Sequence, residues 1–268
     1  MSAAASVRYD IQGGVAFITL SRPERLNALD RPMMRALAAA AIDASTNPDV
    51  RAVLVTGDGR AFCAGGDVKA MATGGMFEEG ESPLVGGMNG AAELHRAVGE
   101  LYRMPKPVIA AVNGPALGAG VGLALSADVV WASESSTFGL AYMGIGLSPD
   151  GGTTFFVPRI VGARRAAELF MTNRKLTSAE ALTMGFCSRV LPDSELLPAA
   201  TALANQLAQG PTRAYAELKT LLRNTLQSGF ETQTEDERYG VARSVQTDDF
   251  FEGIMAFAER RAPQFKGS

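Results

Sequence analysis

The chain has 268 residues, 47% of them hydrophobic and 20% charged, with a formal net charge of −3. This is enough apolar material for one large domain, or one domain plus an appendage, and it excludes the basic face that nucleic-acid binders carry. The same acidic balance gives no electrostatic pull toward anionic membrane.

Met1–Ser6 shows no basic segment leading into an apolar run, so no secretory signal is expected. Gly14–Leu20 reads as a strand in which Val15, Phe17 and Thr19 alternate with Ala16, Ile18 and Leu20. Asp30 offers an N-cap, with Pro32 just inside, for an Ala- and Met-rich helix over Met33–Ser45. Val50–Thr56 is a second strand, stopped by Gly57-Asp58-Gly59. Met71–Gly90 has no clear period. Its glycines, with Glu78, Glu79, Glu81 and Pro83, predict a loop, either a lid near a site or a plain connection. Ala91–Met104 is helix-like, and Pro107–Val112 is a near-continuous apolar run of the kind buried on both faces of a sheet. Asp128–Ala132 is a further strand. From Ala163 onward strand signals fade: Ala163–Met171, Thr177–Met184, Leu196–Gln209, Thr212–Ser228, Thr232–Val245 and Phe250–Arg261 read as helices. Strands interleaved with helices, then helices alone, predict an α/β fold with a helical C-terminal module. No apolar stretch reaches the length of a membrane span.

Two cysteines, Cys63 and Cys187, and one histidine, His95, cannot build a Cys/His zinc site, so no metal is expected. Both thiols read as reduced and the protein as cytoplasmic. Cys63 reads as a small core residue beside a glycine-rich loop.

Two such loops stand out. Ala61-Phe62-Cys63-Ala64-Gly65-Gly66-Asp67 follows a strand and turn, and Asn113–Gly122 follows Pro107–Val112 and leads into the helix-like Leu123–Ser126. Glycines let a ligand approach the backbone, and a helix start exposes unpaired N–H groups suited to an oxyanion. Tight turns with close helix–strand packing are the plain alternative. The spacing at Gly118–Gly122 is not that of a dinucleotide fingerprint, and no Gly-Lys-Ser/Thr follows to make a phosphate loop.

Taken in order, several segments resemble the crotonase (enoyl-CoA hydratase/isomerase) superfamily. They are Ser21–Leu29, Ala61–Asp67, Lys106–Gly114 with its glycine loop, Gly146–Gly152, and Leu176–Ala181 leading to Gly185. The resemblance covers nearly the whole chain. It implies a spiral of ββα units over residues 1–205 and a helical oligomerisation region over 206–268. It implies a homotrimer or dimer of trimers, and an acyl-CoA substrate with no permanently bound cofactor. By position, the oxyanion donors are the N–H groups of Gly66 and Ala119. CoA lies along Arg25, Leu26, Ala28 and Ala64, and Lys266 meets its phosphates from a neighbouring subunit. A solvated tail lysine is the alternative for Lys266, and Asn27 reads as a turn residue.

Hydratases of this family carry two glutamates, at positions matched here by Gly122 and Tyr142. Adding water needs a base and an acid within reach of one water and one carbon, so ordinary hydration is not expected. One carboxylate remains, Asp150, in an element like that of the family's enoyl-CoA isomerases. A lone carboxylate suits moving a proton from C2 to C4 of a 3-enoyl-CoA. A helix N-cap before Gly151–Phe156 is the other role open to Asp150. His95 matches the region where the family's aryl-CoA dehalogenases place a water-activating histidine, so a hydrolase or dehalogenase using Asp150 and His95 is the alternative chemistry. A structural His95 is also open, and enoyl-CoA hydratase activity stands as a third reading. Tyr142 lines the acyl pocket, donates a hydrogen bond, or simply packs.

Overall fold

A computed structural model describes residues 5–75 and 77–268. The expectation for Met1–Ser6 therefore falls largely on residues outside those described. The first strand pair is antiparallel: β1 (Val7–Gln12) runs against β2 (Val15–Leu20), with Gln12 opposite Val15 across a two-residue turn at Gly13-Gly14. The helix α1 (Arg31–Thr46) follows, and its N-cap is as expected: Asp30 accepts from the Met33 N–H, and Pro32 sits in the first turn. Three turns of a spiral come next, each laying one strand in a large sheet before a helix, the second and third also laying one short strand in a small sheet. The first turn is β3 (Ala52–Gly57), a bridge from Cys63 to Ala116, then α2 (Val68–Ala72) and α3 (Pro83–Arg103). The second is β4 (Val108–Val112), β5 (Ala116–Leu117) and α4 (Ala119–Leu125). The third is β6 (Val129–Ser133), β7 (Thr137–Gly139), then α5 (Thr153–Val161) and α6 (Ala163–Thr172). The chain continues through β8 (Lys175–Thr177), α7 (Ser178–Met184) and β9 (Arg189–Leu191). It ends in α8 (Asp193–Ala208), α9 (Thr212–Asn224), α10 (Phe230–Ser244) and α11 (Asp248–Glu259). The large sheet has the order β1-β2-β3-β4-β6-β9 and the small one β5-β7-β8. This is the crotonase spiral that the motifs imply.

Both faces of the large sheet are covered, so its central strands are largely apolar, with the buried Thr56 hydroxyl donating to the Ala111 carbonyl at 2.9 Å. Val108, Ala110 and Val112 of β4 face the main core, with Leu37 of α1 and Leu101 of α3, while Ile109 and Ala111 face α8. That helix presents Leu196, Ala200, Ala204 and Ala208 every fourth residue, and their small side chains let it sit close on the sheet. It runs across position 205. Beyond it, α9 is tied to the core by buried Lys219, whose ammonium contacts Asp128 Oδ2 at 2.7 Å and donates to the Lys106 carbonyl at 2.7 Å.

Two expectations are corrected. Strand signals fade after Ala163, yet β8 and β9 form there. Each is only three residues long and is created by pairing, β8 with β7 and β9 with β6. The segment Met71–Gly90 is not one loop: α2 ends within it, and α3 begins at Pro83, capped by the Ser82 hydroxyl accepting from the Val85 N–H. The turn before α3 is fastened to α1 by Arg31, which is 5% exposed. Its guanidinium donates to Glu81 at 2.8 Å and to both oxygens of Glu93 at 3.1 and 2.9 Å. Arg35 bonds Glu78 and Glu93 beside it.

Candidate active site

The two glycine-rich loops lie zipped together. Cys63 N–H donates to the Pro115 carbonyl at 3.1 Å, and Leu117 N–H donates back to the Cys63 carbonyl at 2.9 Å. This register pairs Cys63 with Ala116, so Gly66 and Ala119 lie three residues on in their respective loops. Gly65 must be glycine: its φ is +87°, and a β-carbon there would lie 2.7 Å from the Leu117 carbonyl oxygen. Neither Gly66 N–H nor Ala119 N–H donates to any described residue, and both residues line the same cavity. Asn27 holds the first loop from below. Its side chain is fully buried, accepts from Arg22 N–H at 2.8 Å and donates to the Asp58 and Ala61 carbonyls at 2.9 and 2.8 Å.

The cavity measures about 800 Å³. Ala64, Gly66, Ala119, His95, Tyr142 and Asp150 line it together, so six of the residues singled out from the motifs converge there. Arg25, Leu26, Ala28 and Lys266 do not line it. The first three belong to the adjoining segment, where the Leu26 carbonyl accepts from Ala64 N–H at 3.0 Å. Lys266 lies in the C-terminal tail, its backbone N–H bound by Asp249 Oδ1 at 2.6 Å. Much of the remaining wall comes from Met71–Gly90, the segment that the sequence offered as a lid near a site. Met34, Met71, Phe77, Leu84, Met88 and Leu147 make it apolar, and Gly86, Gly87 and Gly90 of α3 leave it wide. What the sequence did not show is that Gly86, Gly87 and Gly90 lie in a helix, against their propensity.

Among the described lining residues Asp150 is the sole carboxylate, and no Lys or Arg faces it. It does not cap a helix: α5 starts at Thr153 after Gly152, and it is the backbone carbonyl of Asp150 that takes the Thr153 N–H and hydroxyl. Its side chain instead accepts from Tyr142 O–H at 3.0 Å through Oδ1, while Oδ2 accepts from no described residue. Burial pushes the Asp150 carboxyl above the ordinary carboxylate range, although the Tyr142 hydrogen bond pulls against it. Burial, reinforced by the Asp150 charge, pushes the Tyr142 phenol upward, so it stays a neutral donor. The nearby His95 also pulls the Asp150 carboxyl down, and its Nε2 accepts from Gly151 N–H at 3.2 Å. Cys63 is fully buried behind the loop, and its thiol is pushed up to about 12, which keeps it neutral. Among the described residues no cluster of three or more His, Cys, Asp or Glu could hold a metal, and no helix is long and apolar enough to cross a membrane.

Comparisons with known proteins agree with this geometry. Residues 10–268 match the model of the enoyl-CoA hydratase/isomerase family. A Rhodobacter capsulatus protein named "Probable enoyl-CoA hydratase" is 39% identical over 262 residues, 98% of each chain. The 1,2-epoxyphenylacetyl-CoA isomerase of Escherichia coli is 36% identical over 96% of this chain and 97% of that one. The crystal structure of an enoyl-CoA hydratase from Polaromonas sp. JS666 superposes with a TM-score of 0.89 at 33% identity, covering 97% of this chain and 99% of that one. The chain thus belongs to the enoyl-CoA hydratase/isomerase family, the crotonase-type enzymes that act on acyl-CoA thioesters.

Proposed function

We propose that this enzyme isomerises 3-enoyl-CoA to 2-enoyl-CoA, with Asp150 as a single proton shuttle. The observation that carries this reading is one half-buried carboxylate in an otherwise apolar cavity, beside two unpaired backbone N–H groups. The thioester carbonyl accepts from Gly66 and Ala119. Asp150, through its unbonded Oδ2, takes a proton from C2. The electron pair delocalises over the thioester oxygen and C4 as a dienolate. The protonated Asp150 then delivers the same proton to C4, and the double bond moves from C3–C4 to C2–C3. One group serves as base and then acid, so no second carboxylate is needed.

Energetics favour a conjugated intermediate. An α-proton of a thioester lies roughly 15 pKa units above an ordinary Asp, about 20 kcal/mol uphill at 1.36 kcal/mol per unit. The raised Asp150 carboxyl recovers part of that gap. Each oxyanion donor contributes about 2.7–4 kcal/mol, and dienolate conjugation supplies much of the remainder.

Hydration is disfavoured by packing as well as by composition. A β-carbon at Gly122, where hydratases carry a glutamate, would lie 2.0 Å from the Gly151 carbonyl oxygen. The hydrolase or dehalogenase alternative needs a free imidazole, and His95 Nε2 is occupied. By the same reading Arg25, Leu26, Ala28 and Ala64 receive the CoA moiety, with Lys266 contributed by a neighbouring subunit. The 206–268 region assembles a homotrimer or dimer of trimers, as the exposed Leu222, Leu226, Phe230, Phe251 and Phe257 support. The test is a panel of CoA esters with product identification in deuterated water. The expected result is conversion of a 3-enoyl-CoA, with proton exchange at C2. Release of free CoA, or faster hydration of a 2-enoyl-CoA, would overturn it.

A further inference from the structure

The turn that carries Asp150 is fixed through one peptide unit, the one joining Asp150 to Gly151. Its carbonyl accepts from Thr153 Oγ1 at 2.8 Å and from Thr153 N–H at 3.1 Å, and it shares the one Tyr142 O–H, at 3.1 Å, with Asp150 Oδ1. Its N–H donates to His95 Nε2 at 3.2 Å, a partner 56 residues away on α3. A peptide plane held at both poles resists rotation, which restricts ψ of Asp150 and with it the direction in which the side chain leaves the backbone.

The next residue packs between two helices. Gly151 has φ +59°, in the left-handed region that glycine tolerates. A β-carbon on Gly151 would lie 3.4 Å from Leu94 Cδ2 on α3 and 3.4 Å from Ala119 Cα on α4. The Gly151 carbonyl, in turn, occupies the space that a side chain at position 122 would need. The turn therefore sits between α3 and α4, and His95 supplies its polar anchor on the α3 side.

A neutral imidazole nitrogen that accepts an N–H has its lone pair in use and cannot simultaneously take a proton from water. We propose that His95 is a positioning residue: its Nε2 clamps the Asp150–Gly151 peptide so that the carboxylate faces the two oxyanion N–H groups. The proposal rests on the reading of Asp150 as the proton shuttle.

Glutamine can present an acceptor oxygen where His95 presents Nε2, and alanine cannot. Four proteins are compared on a 3-enoyl-CoA: wild type, His95→Gln, His95→Ala and Asp150→Asn. His95→Ala is expected to lose about 10–100-fold in kcat, the scale of a catalytic group displaced by about 1 Å, with KM moving far less. His95→Gln should recover most of that loss. Amide hydrogen exchange on the peptide covering residues 150–152 should accelerate in His95→Ala and return toward wild type in His95→Gln. A His95→Gln variant as impaired as His95→Ala would mean that the imidazole itself takes part in the chemistry, and would overturn the clamp. Wild-type kcat in His95→Ala, or unchanged exchange there, would overturn it as well. Wild-type turnover by Asp150→Asn sinks the shuttle reading instead, and the exchange measurement still decides whether His95 holds the turn.

Discussion

Replacing Asp150 by asparagine keeps the shape of the cavity and removes the one acidic side chain among its described lining residues. Asparagine can still accept from Tyr142 O–H, so the 3.0 Å contact has a counterpart in the variant. General acid–base groups contribute about 10²–10⁴-fold. No other described carboxylate lines the cavity, so the loss belongs at the upper end, about 10⁴-fold, or about 5 kcal/mol at 1.36 kcal/mol per tenfold. A second readout comes from linkage. The folded state holds the Asp150 carboxyl above its unfolded range by burial. The stability tied to this group is therefore fully present below the unfolded pKa and is lost as pH rises through the folded one. Asparagine never charges, so the variant should melt above wild type at neutral pH, and the difference should close as pH falls into the ordinary carboxylate range. The assays are turnover of a 3-enoyl-CoA and thermal melting across that pH span. The reasoning is refuted if the variant keeps more than about a tenth of wild-type turnover, or if its melting advantage grows toward acid. Lost activity with a lowered melting point at neutral pH would indicate damage to the fold rather than to the chemistry.

Other outcomes follow from the same geometry. Tyr142→Phe removes the hydrogen bond that draws the Asp150 carboxyl downward, so the acid limb of its pH–rate profile should move to higher pH; an unmoved limb would count against that contact. Gly87→Leu should turn the enzyme toward shorter acyl chains, because a β-carbon at Gly87 meets nothing within 4 Å and the residue lines the cavity. Gly87→Ala, at an unstrained helical position, should gain up to about 1 kcal/mol in denaturant unfolding. An unchanged chain-length profile in the leucine variant would remove α3 from the acyl wall. Asn27→Ala leaves Arg22 N–H and the Asp58 and Ala61 carbonyls without their partner. At about 1–3 kcal/mol for a buried group left unsatisfied, a loss of several kcal/mol is expected in urea titration, and a negligible loss would show that the loop finds other partners.

Much of this protein is legible locally. The Asp30 cap with Pro32 starts α1, and the unbroken apolar run of β4 announces a strand covered on both faces. The two glycine-rich loops stand out as candidate chemistry before any coordinate is known, while the acid after Pro149 is singled out only by the family resemblance. Family spacing extends this, assigning the oxyanion positions and exposing the missing carboxylates at Gly122 and Tyr142. Caps, periodicity and spacing are properties of neighbours in the chain, which is why they can be read there.

What escapes is everything decided by partners far apart. β1 is the exception, because Val7, Tyr9 and Ile11 alternate with Arg8, Asp10 and Gln12, a local strand signal that the expected elements did not include. β8 and β9, three residues each, exist only as additions to β7 and β6. The first two turns of α3 run against the propensity of Gly86, Gly87 and Gly90, and the turn before them is fastened by Arg31 to Glu81, 50 residues away. At the site, no local rule links Gly122 to Gly151 or His95 to the Gly151 amide. Sequence determined which groups are available for chemistry, because residue identity is a local fact. Only the tertiary structure decided which of them face each other and which lone pairs are already in use, because hydrogen bonds and steric exclusion act between atoms that folding alone brings together.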